Sequence, residues 1–179
     1  MKFRVLLFIL LIGVALGGLY FLFSPGIEKG PRIGALAPDF TLQNRQQQSI
    51  ALSSFRGKAV LLNFWATWCG PCQQEMPSLE ALYQRYHDRD FVVLGVSLDE
   101  EGWKAVEDFT QQVSVSFPIV LDQAQSVSDI YQVYKIPETY LINPQGKIVD
   151  KFVGPQNYDQ EIFYQKIERV LPAGGGSKT

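Results

Sequence analysis

The chain has 179 residues, 46% of them apolar, and a formal net charge of −2, which fits an ordinary folded protein with material for one domain and a sizeable core. Lys and Arg are scattered singly, so the basic stripe that phosphate binding requires is missing and nothing points to nucleic acid as a partner.

In chain order, the first feature is "VLLFILLIGVALGGLYFLF", Val5 to Phe23, which carries no charge and has about the length needed to cross a bilayer as a helix. An uncleaved transmembrane anchor is the preferred reading, with a cleaved signal peptide and a buried core helix as alternatives. The apolar region of a signal peptide runs roughly 7 to 15 residues, and here the small-x-small candidate, Ala15-Leu16-Gly17, is followed by more apolar sequence. Lys2 and Arg4 before the span nearly balance Lys29 and Arg32 after it. The short leading tail, 1–4, and the bulk of the chain beyond the span favour a domain outside the cytoplasm, where a disulfide persists. Ser24 to Pro38, rich in Pro and Gly, reads as a linker, which places the folded domain at 39–172 and leaves "GGGSKT" in a frayed tail at 173–179.

Within the domain, "FTLQN" and "SIAL" flank the polar run "RQQQ" and predict a small hairpin. Apolar runs then alternate with helical patterns: strand 58–66, helix 71–89, strand 91–98, helix 100–113, strand 117–122, helix 126–134, strands 138–143 and 147–154, and a last helix near Tyr158 to Leu171. This alternation predicts an α/β sheet with helices on both faces. "NPQG", Asn143 to Gly146, predicts a tight turn joining the last two strands antiparallel.

The only two cysteines, Cys69 and Cys72, fall in "FWATWCGPCQQEMP", between a buried strand and a helix. Cys69 is thereby placed at a helix N-terminus, where unpaired N–H groups and the helix dipole favour a thiolate. Cys72, one turn on, is in reach to close a disulfide or resolve a mixed one, and Pro71 suits a first helical turn. A structural staple closing so short a loop removes little chain entropy. A zinc site would need about four ligands, and the chain has one histidine, His87; a redox pair is therefore preferred over both, with no metal or other cofactor expected.

"NFWATWCGPCQQEMPSLEAL", with "GALAPDFTL" upstream and "IPETYLINPQGKIV" downstream, resembles the membrane-anchored TlpA/ResA/DsbE (CcmG) group of thioredoxin-fold oxidoreductases over roughly Gly34 to Leu171. The resemblance implies a thioredoxin fold with an N-terminal hairpin extension and a central strand-helix insertion within "DEEGWKAVEDFTQQVSVSFPIVLD". It further implies Cys69 as the attacking cysteine and Cys72 as the resolving one, framed by Trp65 and Trp68. Pro137 matches the family's cis proline, with the backbone of Ile136 positioned to pair with an extended substrate, and Glu138 following as a residue that shapes partner choice or lines an exposed edge. Glu75 matches an acid that tunes the cysteines. Asn63 stands where ordinary thioredoxins carry a buried acid, which leaves Glu75 as the candidate for acid/base work.

The implied activity is a membrane-tethered thiol-disulfide oxidoreductase on the extracytoplasmic side of a bacterial inner membrane. Its expected partners are protein disulfides, apo-cytochrome c being one candidate, and a membrane thiol-disulfide electron donor. Two other readings compete. A peroxiredoxin shares the "APDFTL" entry, but its Pro-x-x-x-Thr-x-x-Cys pattern is absent, since Thr67 lies two residues before Cys69. A redox-inert docking module would use the same surface without chemistry, because fold alone does not establish activity.

Overall fold

The computed structural model describes Gly13 and residues 30–172. The expected tail at 1–4, the expected anchor at 5–23 apart from Gly13, and the expected tail at 173–179 lie outside the described residues; among those described, no helix is long and apolar enough to cross a membrane. The elements are β1 (Thr41–Gln43), β2 (Ser49–Ala51), a 3-10 turn (Leu52–Phe55), β3 (Ala59–Trp65), α1 (Gly70–Tyr86), β4 (Phe91–Ser97), α2 (Trp103–Val113), β5 (Ile119–Leu121), α3 (Ser126–Tyr131), β6 (Glu138–Ile142), β7 (Ile148–Val153) and α4 (Glu161–Val170).

The seven strands make one sheet in the order β2-β1-β5-β4-β3-β6-β7. It is parallel across β3, β4 and β5 and antiparallel at β1–β2, β1–β5, β3–β6 and β6–β7. β3 and β4 are buried along their whole length, as their unbroken apolar runs require of central strands covered on both faces. Alternation sorts their side chains. Ala59, Leu61 and Trp65 join a cluster with Met76 and Leu79 of α1, Val106 of α2 and Phe163 and Ile167 of α4. Val60, Leu62 and Phe64 face the other way, onto Val127 and Tyr131 of α3 and onto Ala37, Phe40 and Leu52.

Three of the boundaries that differ from the sequence pattern have a local reason. α2 starts at Trp103 rather than at residue 100, behind Gly102, whose φ of 84° is a conformation glycine adopts without a Cβ penalty. α3 stops at Tyr131 because Gln132 turns left-handed, with φ 52° and ψ 48°. α4 starts at Glu161, since Tyr158 is buried and its N–H donates sideways to Ser78 Oγ at 3.0 Å. At the other end, Gly34 N–H donates to Ile148 O at 2.7 Å and Ala37 N–H to Gly146 O at 2.9 Å. Part of the stretch read as linker is therefore hydrogen-bonded to the edge of the domain.

α3 matters to the site because the chain leaves it directly toward Ile136 and Pro137. Its start is held by Asp122, a carboxylate only 1% exposed that accepts from Val127 N–H at 3.0 Å and Ser128 N–H at 2.8 Å. Asp122→Ala leaves both donors buried and unpaired. It is expected to lower stability by about 1–3 kcal/mol, read as a reduced urea midpoint; an unchanged midpoint would mean that the cap contributes nothing.

Candidate active site

The parallel strands β3 and β4 end at the same level, Trp65 opposite Ser97, and the site forms at these carboxyl ends, as is general for α/β sheets. Ala66 to Trp68 carry the chain from β3 into α1. Cys69 is the N-cap of that helix, with φ −89° and ψ 100°, and its Sγ accepts from Cys72 N–H at 3.2 Å. The sulfur thus fills the place usually taken by a Ser or Asp oxygen, where it meets a helix end carrying a partial positive charge. Cys69 and Cys72 form a disulfide. They are not equivalent: Cys69 retains 6% exposure at the surface beside Trp68, itself 68% exposed, whereas Cys72 is fully sealed.

The loop is fixed from below by Asp99, which the sequence reading passed over. Its buried carboxylate accepts from Thr67 N–H at 3.1 Å, from Thr67 Oγ1 at 2.5 Å and from Ser97 Oγ at 2.7 Å. Gln73 Nε2 donates to Thr67 O at 2.6 Å, tying the loop to the first turn of α1. A signal was available, in that an acid two residues beyond a buried parallel strand sits beside the end of its neighbour.

Opposite the cysteines, the Ile136–Pro137 bond is cis and Ile136 O lies 3.8 Å from Cys69 Sγ. In the disulfide Sγ has no proton to donate, so this is a van der Waals approach. Pro137 O accepts from Gly154 N–H at 2.8 Å, which draws the end of β7, with Val153 54% exposed, to the same rim. Trp68, Cys69, Ile136 and Pro137 are thus brought together.

Two residues are not. Trp65 does not frame the surface; it is wholly buried, its ring tilted at 42° against Phe109 with centroids 5.5 Å apart. Its indole lies against Gly95, where a Cβ would come within 3.1 Å of Nε1. Glu138, expected among the substrate contacts, is 4% exposed. It alternates onto the opposite face of the sheet, where it accepts from Tyr140 OH at 2.5 Å and pairs with Lys151 Nζ at 3.0 Å. A carboxylate so enclosed has no surface to offer a partner.

Glu75 lies behind the disulfide. The buried positions of α1 are Cys72, Glu75, Met76, Leu79, Leu82 and Tyr86, a three-four spacing in which Glu75 occupies a core position one turn from Cys72. Its Oε1 accepts from Asn63 Nδ2 at 2.8 Å and its Oε2 from Gln156 N–H at 3.1 Å. Burial pushes the carboxyl up to about 7, against the opposing pull of those two hydrogen bonds, which favour the charged form. Asn63 also donates to Thr139 Oγ1 at 2.9 Å, and Tyr158 OH donates to the same oxygen at 2.8 Å. Asn63 is therefore part of the site and not only the place where an acid is missing. Among the described residues there is no group of three or more His, Cys, Asp and Glu able to hold a metal.

Because the folded state holds the Glu75 proton to about pH 7 while an unfolded Glu ionises near 4.5, stability falls as pH rises through that window and is level above it. Glu75→Gln removes this dependence. It is expected to match the parent near pH 4 and to exceed it at pH 8 by on the order of 3 kcal/mol, measured by urea unfolding at the two pH values. Parallel pH dependences in both proteins would contradict it.

The sequence pattern of the AhpC/TSA family matches residues 33–151. The thiol-disulfide oxidoreductase ResA of a Bacillus cereus strain is 36% identical over 166 residues, covering 92% of this chain and 95% of that protein. ResA of Bacillus subtilis (strain 168) is 40% identical over 121 residues, 68% of this chain and 67% of that one. A crystal structure described as a thiol:disulfide interchange protein DsbE from Chlorobium tepidum superposes with a TM-score of 0.73 at 33% identity, covering 80% of this chain and all of its own. These likenesses agree with the redox pair at the helix N-terminus, and the chain accordingly belongs to the AhpC/TSA family, among its thioredoxin-like thiol-disulfide oxidoreductases.

Proposed function

We propose that the chain is a membrane-tethered reductant of protein disulfides that works outside the cytoplasm, with apo-cytochrome c as one client and a membrane thiol-disulfide protein as its electron donor. The observation that carries the redox part is the division between the two cysteines, one at the rim beside Ile136 O and one sealed beneath it. The uncharged run Val5 to Phe23 supports the tether, and the Gly-Pro dipeptide of "CGPC", shared with reducing thioredoxins, supports the direction.

In the reduced protein the Cys69 thiolate attacks one sulfur of a client disulfide. A Cys69–client disulfide forms, and the other client sulfur leaves as a thiolate that takes a proton from solvent. Cys72 then loses its proton and attacks Cys69 Sγ, which closes the Cys69–Cys72 disulfide and expels the second client thiolate. Two electrons pass from the dithiol to the client. Since Cys72 is sealed from water, its proton needs an internal acceptor, and Glu75, one turn on and held near neutrality by burial, is suited to take it.

The peroxidase alternative would want Thr67 turned toward the attacking cysteine. Its hydroxyl is instead committed to Asp99 at 2.5 Å. The full chain is expected to reduce insulin in the presence of dithiothreitol. Cys69→Ser should fall to background, and Cys72→Ser should accumulate a mixed disulfide through Cys69. Full turnover by Cys69→Ser would overturn the proposal.

A further inference from the structure

Asn63 has an unusual hydrogen-bond account. It is fully buried. Its Nδ2 uses both hydrogens, one on Glu75 Oε1 at 2.8 Å and one on Thr139 Oγ1 at 2.9 Å, while its Oδ1 is buried with no hydrogen-bond partner. Buried side-chain acceptors are seldom left unpaired, and each exception asks for an explanation. The two anchoring residues are fixed independently of Asn63: Thr139 is its register partner across the β3–β6 ladder, and Glu75 is held through Oε2 by Gln156 N–H.

An amide presents donors at one end and an acceptor at the other, so a half-turn about its last torsion exchanges them. With Glu75 ionised, the donor end must face the carboxylate, which is the arrangement seen. With Glu75 protonated, its O–H needs an acceptor, and Nδ2 is not one. The turned amide supplies it: Oδ1 then accepts from the Glu75 O–H and from the Thr139 hydroxyl, while Thr139 Oγ1 goes on accepting from Tyr158 OH. Each arrangement makes two amide hydrogen bonds and leaves one end of Asn63 unpaired. The unpaired Oδ1 is thus what a group serving two protonation states must show in one of them.

We propose that Asn63 is a positioning residue whose amide reverses as Glu75 gains or loses its proton, so that both states of the carboxyl keep a partner in a site closed to water. An aspartate in this place would set a second negative charge beside Glu75, and a leucine would serve neither state. The titratable groups around Glu75 are Cys69 and Cys72 on its own helix and Tyr158 from the segment between β7 and α4. β3 and β6 contribute Asn63 and Thr139, which do not titrate, and the charged pair Glu138 and Lys151 lies on the opposite face of the sheet. The use of the reversal in catalysis rests on the proposed role of Glu75 as proton acceptor; its occurrence does not.

The test is a pH titration of the full chain in detergent micelles, labelled with 13C in Glu carboxyls and 15N in Asn side chains, with Glu75→Gln and Asn63→Leu identifying the two signals. The Asn63 Nδ2 resonance is expected to shift with the same midpoint as the Glu75 carboxyl and to become independent of pH in Glu75→Gln. Asn63→Leu takes a partner from both states of the carboxyl, so the Glu75 midpoint is expected to move by well under the roughly one pH unit, or tenfold change in proton affinity, that loss of a donor fixed to the charged form alone would give. Thr139→Val, which deletes only a hydroxyl, should shrink the Nδ2 shift and keeps the test open should Asn63→Leu not fold. An Nδ2 signal that stays constant across the Glu75 midpoint, or a midpoint raised by a full pH unit or more in Asn63→Leu, as a fixed donor would give, overturns the proposal. If the Nδ2 shift follows the Glu75 midpoint while Glu75→Gln leaves the pH profile of insulin reduction unchanged, the reversing amide stands and the catalytic reading of Glu75 fails.

Discussion

A carboxyl group is buried behind the redox disulfide, and much of the site is arranged around it. Glu75 occupies a position in the apolar stripe of α1 that a leucine would fill at lower cost, and every polar group near it has a reason to be there. Asn63 reaches it from β3, Gln156 from the segment after β7, and Thr139 and Tyr158 stand one bond further out. Burying a carboxyl opposes its charge, whereas these donors favour it. The balance leaves a group able to hold or release a proton near neutral pH, sealed from water behind the disulfide.

The sheet keeps this proton chemistry apart from the orientation of the loop. Alternation along β3 and β6 directs Asn63, Trp65 and Thr139 toward the helix that carries the cysteines. Phe64, Glu138 and Tyr140 go to the other face, where Glu138 is enclosed by its own partners. Asp99 handles geometry: three donors converge on its carboxylate and hold Thr67, and so the approach to Cys69, in one place. Two buried acids on neighbouring elements therefore have different duties. One is hydrogen-bonded into rigidity, and the other is left poised between charge states. The rim carries Trp68 and Val153, which are exposed, and Ile136, which is half-buried.

The strands, the order of helices and the placement of Cys69 as an N-cap could all be read from the sequence, because unbroken apolar runs, three-four spacing and the "CGPC" junction are local signals. Glu75 was legible in part: its place in the stripe Cys72, Glu75, Met76, Leu79 announces burial, but the partners that hold it come from residues 63 and 156. The register pair Asn63 and Thr139, 76 positions apart, is fixed by how β6 docks on β3, which no local pattern records. Glu138 misled for a related reason. The resemblance put Glu138 among the substrate contacts, and the strand's alternation sent the side chain to the far face. Asp99 was missed because its partner, Thr67, is brought beside it only by the parallel pairing of β3 with β4.

The central claim is that the proton on Glu75 governs the reactivity of the cysteine pair. It is tested most directly by the rate at which iodoacetamide alkylates Cys69 in the reduced chain between pH 5 and 9, compared between the parent and Glu75→Gln. Coupled groups titrate in steps that belong to the pair rather than to either member. The parent is predicted to show two steps, one of them near the Glu75 value of about 7, and Glu75→Gln to show one. Superimposable profiles would contradict the account.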